Sequence, residues 1–331
     1  MNNDTFAIRL HEARLQMNLS MDKLVERTGE IITKQSVSRY EKGIMHPKQD
    51  AMAALAKALC ISQDYFYGTG PQIDIPMLRT TSDGCLTEAE LQALDARLSF
   101  WTEQYLSVEK ETNSALDFAN PMSDIAVCTM TEASQAADLL RERWHCGDGP
   151  IVSILRLLER KGIKIMSTEL PADVYGLSTW ADGRQPLMVL DCRPEKTTVE
   201  RLRFTAGHEL AHLLLTFPDD SEFGVEKRCN KFASFFLFPQ RTFVEEMGGE
   251  KRATLRLEEM IDLRNLYGVS IAAQVHEAWD IGMISREHYD WWYDEVIKKN
   301  PKEAGWGGYM LPETLGREKR VRALVNENNN K

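Results

Sequence analysis

Residues 199–217 place Val199, Leu202, Ala206, Leu210, Leu213 and Phe217 three or four positions apart, the spacing of one buried helix face. His208 and His212 come out on nearly the opposite side, one turn apart, because residues four apart on a helix project from the same face. A chain with this segment must therefore bury one side of a helix in a core and open the other to a cleft where two imidazoles stand together. Two such imidazoles can grip a zinc ion, and Glu209 between them is placed to act on water at that ion instead of binding it. The bland alternative is a chance pairing of core or surface histidines. With seven histidines in 331 residues, that coincidence is the weaker account.

A hydrolytic zinc site usually takes three protein ligands and keeps one position open, so a further donor is expected downstream. Asp219, Asp220 and Glu222 lie in Phe217-Pro218-Asp219-Asp220-Ser221-Glu222, a polar turn in which carboxylates are ordinarily solvated. Glu226 opens a second helical run over residues 226–237, where Glu226, Asn230, Ala233 and Leu237 share a face. Ala233 is small enough to let the two helices approach, and Asn230 is placed to orient a ligand side chain. The spacing favours Glu226 over the loop acids.

These residues belong to a longer series: Gly149-Pro150, Leu158-Glu159-Arg160-Lys161-Gly162-Ile163, Gly176-Leu177-Ser178, Arg203-Phe204-Thr205, the HExxH segment, then Glu226-Lys227-Arg228-Cys229-Asn230-Lys231-Phe232-Ala233 and Phe238-Pro239. Over residues 126–300 the chain resembles the ImmA/IrrE family of zinc metallopeptidases. The resemblance implies Zn2+ as cofactor, His208, His212 and Glu226 as metal ligands, and Glu209 as the catalytic residue. It also implies a protein substrate, often a helix-turn-helix repressor encoded nearby. In that family the second motif commonly reads ExxAN.FA. Here Cys229 replaces the usual alanine, a small-for-small change that leaves Glu226 and Asn230 in place.

Six cysteines, Cys60, Cys85, Cys128, Cys146, Cys192 and Cys229, contain no CxxC pair. Scattered thiols point to a reducing, cytoplasmic setting over a disulfide framework. The first fifteen residues carry Asp4, Arg9, His11, Glu12 and Arg14 and form no signal-peptide run. No stretch reaches the apolar length of a membrane span, so no membrane partner is expected. The net charge of -10 argues at first against DNA. Residues 1–68, however, hold nine Lys/Arg against eight Asp/Glu, so the acidic surplus lies downstream and a local basic face suffices for phosphate contact.

Residues 4–67 read as short helices with brief turns, the first striped by Phe6, Leu10, Ala13 and Met17 and the second capped at Ser20. The string from Thr33 through Ser38-Arg39-Tyr40-Glu41-Lys42-Gly43, before Pro47, resembles the XRE (Cro/cI-type) helix-turn-helix family. That resemblance implies a five-helix, lambda-repressor-like domain over residues 1–68, with double-stranded operator DNA as partner. Val37 and Tyr40 are expected to face its core. Gln35, Ser36 and Arg39 are expected to face base edges, Lys34 and Lys42 phosphates, and Gly43 to close the helix in a left-handed cap. The turn over residues 28–32 is about two residues longer than usual, which leaves the angle of the recognition helix open. A scaffold that binds protein is the competing reading.

Residues 69–125 read as a linker and helical connector, with Gly68-Thr69-Gly70-Pro71 and Thr81-Ser82-Asp83-Gly84 as linker signals around a short extended segment at 73–78. Residues 87–112 form one long helix, capped at Thr87 with Glu90 three positions on. Its seam of Leu91, Leu94, Leu98, Trp101, Tyr105 and Val108 suits either a homodimer or packing on its own chain. Helices over 131–144 and 151–160 precede strands at 162–166, 176–180 and 186–190, the last two joined at Asp182-Gly183. Further helices follow at 254–267, 270–280 and 285–298, giving an α+β, mostly helical, zincin-like fold with a small sheet. Trp291, Trp292 and Tyr293 read as packing anchors. His276 and Tyr289 are the downstream options for stabilising an oxyanion, although an ordinary packing or surface role suits each better. Residues 301–331 read as a tail, disordered from Val325.

Together these readings describe a DNA-binding transcriptional regulator carrying a zinc-dependent endopeptidase that cleaves a partner repressor or regulatory protein. The rival is a DNA-binding regulator whose zinc domain is a non-catalytic sensor or partner-binding module. Glu209 leans against it, since a purely structural site needs no base beside an open coordination position. Self-cleavage between residues 68 and 125 is a third option.

Overall fold

Short amphipathic repeats at the start of the chain fold into α1 (Asn3–Gln16), α2 (Met21–Arg27), α3 (Lys34–Glu41) and α4 (Gln49–Ala58), closed by a 3-10 turn at Gln63–Phe66. The structure, a computed structural model, describes residues 3–68, 70–73, 88–171, 173–218, 222–249 and 251–328. Ser20 and Thr33 cap α2 and α3 by accepting from the backbone N–H groups of Lys23 and Ser36, groups that the first helical turn leaves unpaired. Leu10, Leu24, Val37, Leu55 and Phe66 fill a separate core of this unit. Arg14 grips Glu41 with two bonds, 2.5 and 2.8 Å, pinning α1 to α3. The expected fifth helix is only the 3-10 turn, cut short where Gly68 follows.

Next come α5 (Glu88–Glu111), α6 (Met130–Trp144) and α7 (Ile154–Arg160), then β1 (Lys164–Ser167), β2 (Gly176–Ala181) and β3 (Gln185–Leu190). The strands order β1-β3-β2, with β1 parallel and β2 antiparallel to β3. Asp182 (φ 51°) and Gly183 (φ 63°) turn the β2–β3 hairpin in the left-handed region, as the Asp-Gly pair predicts. Strand β3 is covered on both faces. Met188 and Leu190 join the large core with α7 and with α8 (Val199–Leu214), whereas Leu187 and Val189 meet Leu94 and Leu98 of α5. The α5 seam is therefore spent on its own chain, because a sheet with two apolar faces needs a cover on each. Of the two readings of that seam, packing on its own chain is the one observed, and the dimer through 87–112 loses its surface.

Downstream, α9 (Glu222–Leu237), α10 (Gln240–Glu246), α11 (Leu257–Tyr267), α12 (Ile271–Asp280) and α13 (Arg286–Trp291) complete the larger unit, with a π turn at Trp292–Ile297. Only Trp292 of the three expected anchors is buried; Trp291 and Tyr293 are 51% and 43% exposed. The expected tail is a larger correction. Tyr309 donates to the carbonyls of Ile151 and Val152, and Glu313 accepts from the N–H groups of Ile154 and Leu155 at the start of α7 while pairing with buried Arg203. Glu159 in turn accepts from Gly316 and Arg317 at the start of α14 (Arg317–Asn328). Buried Glu109 of α5 holds both Lys164 of β1 (3.0 Å) and Arg317 of α14 (3.1 Å). Polar residues that looked like a solvated end are ordered by these reciprocal caps and buried pairs.

The proposed cap at Thr87, the linker at 81–84, most of the segment 73–78, Cys85 and the loop acids Asp219 and Asp220 lie outside the described residues. No helix among the described residues is long and apolar enough to cross a membrane.

Candidate metal centre

The two helices that build the site touch through their smallest residues. A Cβ on Gly207 of α8 would lie 3.2 Å from the Cβ of Ala233 on α9, so the pair permits a close crossing. Gly176 plays the same part for β2, where an added Cβ would sit 2.7 Å from Thr205 and 2.8 Å from Leu190. Strand β2 can thus lie against α8 beside the histidines.

Across this crossing His208 Nε2 and His212 Nε2 lie 3.0 Å apart, and Glu226 places its carboxylate oxygens 3.1 Å from the first and 3.2 Å from the second. Two ligands of a tetrahedral ion at ~2.0 Å stand ~3.3 Å apart, so this triangle fits one small divalent metal ion. The donor set, two imidazoles and one carboxylate, suits such an ion as well. His208 Nδ1 lies 2.9 Å from Asn230 Oδ1. With that nitrogen donating, the lone pair of His208 falls on Nε2, toward the triangle. Bonds from both histidines hold the Glu226 carboxyl well below the usual carboxylate range. Burial disfavours a charged His208, but the bond to Glu226 and the charges of Glu209 and Glu226 outweigh it and raise its pKa.

Glu209 points elsewhere. It is buried, and its Oε2 accepts a 2.8 Å bond from the Ser178 hydroxyl on β2. Sequence reasoning noted Ser178 only within a motif; its tie to Glu209 needed the strand-to-helix packing that Gly176 allows. The cleft around these groups holds about 1100 Å3. Strand β2 forms one wall and the Ala273, His276, Glu277 and Asp280 face of α12 the other. On that second wall Lys231 bonds both Glu277 and Asp280, and burial pushes Glu277 up to about 7 although Lys231 pulls the other way. His276 lines this wall, stacked on Trp279, which itself packs on Tyr289.

Residues 158–278 match the family model for the IrrE N-terminal-like domain, a peptidase family. That segment is similar to IrrE-type domains. It contains the whole triangle, Glu209 and both cleft walls, and that family implies a metal ion. Residues 10–66 match the model for a helix-turn-helix domain. A search of curated proteins finds no match.

In the helix-turn-helix domain Val37 and Tyr40 are buried as expected, and Gly43 takes a left-handed φ of 67°. Lys34, Gln35, Arg39 and Lys42 are exposed on α3 or at its end. Lys34 is engaged with Asp22 at 2.7 Å. Ser36 is half-buried, and its hydroxyl sits 3.0 Å from Thr33 Oγ1 within the helix cap, so it is less available to a base edge than its neighbours.

Proposed function

We propose that the chain is a DNA-binding transcriptional regulator with zinc-dependent endopeptidase activity, directed at a partner regulatory protein. The observation that carries this reading is the His208–His212–Glu226 triangle with Glu209 beside it. His208, His212 and Glu226 would hold zinc, with Asn230 fixing the His208 tautomer. A zinc ion there supplies Lewis-acid chemistry that makes water nucleophilic near neutral pH. Ser178 holds one oxygen of Glu209, leaving Oε1 to take the proton of the attacking water and pass it to the departing amide nitrogen.

The substrate backbone is received along β2. On one side this strand pairs with β3. On the other, among the described residues, it is met only by Ile73 at its Ala181 end. The Ser178 stretch runs beside Glu209 on the side of β2 away from β3, where an extended peptide would add as a further strand. Arg39 and Gln35 would read bases while Lys42 contacts phosphate.

The test has two parts. Metal analysis of the purified chain should give one zinc per molecule, lost in Glu226→Ala. Incubation with helix-turn-helix repressors should yield fragments with the wild type and none with Glu209→Gln. Zinc binding without cleavage of any partner would assign the domain a sensing role instead.

A further inference from the structure

A second cavity of about 590 Å3 lies away from the metal cleft, where α1, α5, the end of β1 and the start of α14 meet. Its size falls within the range of small-ligand sites. One face of α5 supplies its chemistry: Arg97, Trp101 and Gln104 stand at i, i+4 and i+7, and all three line it. Gln104 is only 6% exposed, and it lines the cavity. Its amide opens on the cavity, where a ligand can replace water as its hydrogen-bond partner. Arg97 donates a single 3.3 Å bond to Thr168 Oγ1 and meets no carboxylate among the described residues. The acids in the wall are engaged. Glu313 pairs with Arg203 and the start of α7, and Glu318 pairs with Arg322 at 2.8 Å while accepting from Trp101 Nε1. The open charge is therefore positive, from Arg97 and the exposed Lys319.

We propose that this cavity binds a purine mononucleotide, with the base on Trp101, its edge at the Gln104 amide and its phosphate at Arg97 and Lys319. An amide offers a donor and an acceptor side by side, which matches the N6 and N7 edge of adenine. A guanidinium suits phosphate, and an indole stacks on any flat base. Seven residues of helix separate the Arg97 and Gln104 backbones by about 10 Å, enough for a phosphate at one end and a base edge at the other. Gln16 of α1 lines the same cavity, so an occupied site ties the helix-turn-helix domain to the connector.

Isothermal titration of the full-length chain with AMP and GMP tests this, with inorganic phosphate and benzoate as single-feature controls. Saturable binding of a mononucleotide is expected, weakened about tenfold or more in Arg97→Ala and in Gln104→Leu, and unchanged in the remote Lys299→Ala. Gln104→Leu should melt no lower than wild type, because it removes an amide that opens on the cavity and keeps the volume. The proposal is overturned if neither nucleotide binds at millimolar concentration, or if binding survives both substitutions. It also fails if phosphate or benzoate binds as tightly, or if Gln104→Leu melts lower, which would make Gln104 a structural residue.

Discussion

Replacing Gly207 with alanine asks whether the α8–α9 crossing sets the metal geometry. The new methyl would meet Ala233 Cβ at 3.2 Å and its Cα at 3.4 Å. Comfortable carbon contacts lie at about 3.5–4.0 Å, so the helices must part by roughly 0.3–0.5 Å. Both edges that join the histidines to Glu226, 3.1 and 3.2 Å, cross this seam. Metal–ligand distances tolerate about 0.2 Å, so the shift falls outside what zinc accepts without rearrangement. Folding is affected far less. Alanine in a helix gains about 1 kcal/mol over glycine, while overpacking costs about 1–3 kcal/mol, a net loss of no more than ~2 kcal/mol. Competition with a chromophoric chelator should show zinc affinity at least tenfold lower, with melting shifted by only a few degrees. Adding Ala233→Gly removes the opposing methyl and should restore most of the affinity. If Gly207→Ala binds zinc as tightly as wild type, the crossing does not set the triangle.

Other outcomes follow from the same structure. Ser178→Ala frees Glu209 to rotate and should lower kcat more than it raises KM on a cleaved repressor, with Ser178→Thr recovering part of the loss. Arg14→Ala strands the buried Glu41 carboxylate and should cost about 3 kcal/mol in urea unfolding. Burial opposes the Glu41 charge, but bonds from Arg14 and His11 outweigh it and lower the pKa. Its stabilisation is thus present above the unfolded value near 4.5 and lost as pH falls through the lower folded value. The advantage of wild type over Glu41→Gln should therefore fade as the pH falls below 4.5. Arg39→Ala should cost about 1–3 kcal/mol on an operator and relax its specificity, whereas Lys42→Ala should weaken all DNA binding and reduce the salt slope by about 1, both readable in gel shifts.

Local repeats carried most of what could be read in advance. The apolar stripe opposite His208 and His212, the face shared by Glu226 and Asn230, the smallness of Ala233 and the Asp182-Gly183 turn are all short-range patterns, and each recurs in the structure. What escaped was long-range. The α5 seam could not announce whether its partner was a copy or the far face of a sheet, since both present the same apolar spacing. Residues 301–328 looked like a tail because they are held by Glu313, Glu159 and Glu109 through contacts with segments more than a hundred positions away. Ser178 gave no hint of Glu209, because the contact depends on how closely Gly176 lets β2 approach α8.

X-ray absorption at the zinc edge tests the central claim most directly. The account predicts one ion per chain with two imidazole nitrogens and a carboxylate oxygen at about 2.0 Å, plus one exchangeable oxygen. Glu226→Ala should remove the protein oxygen and most of the metal. A chain that takes up no zinc, or one whose zinc shows sulfur ligands or keeps its shell unchanged in Glu226→Ala, would contradict it.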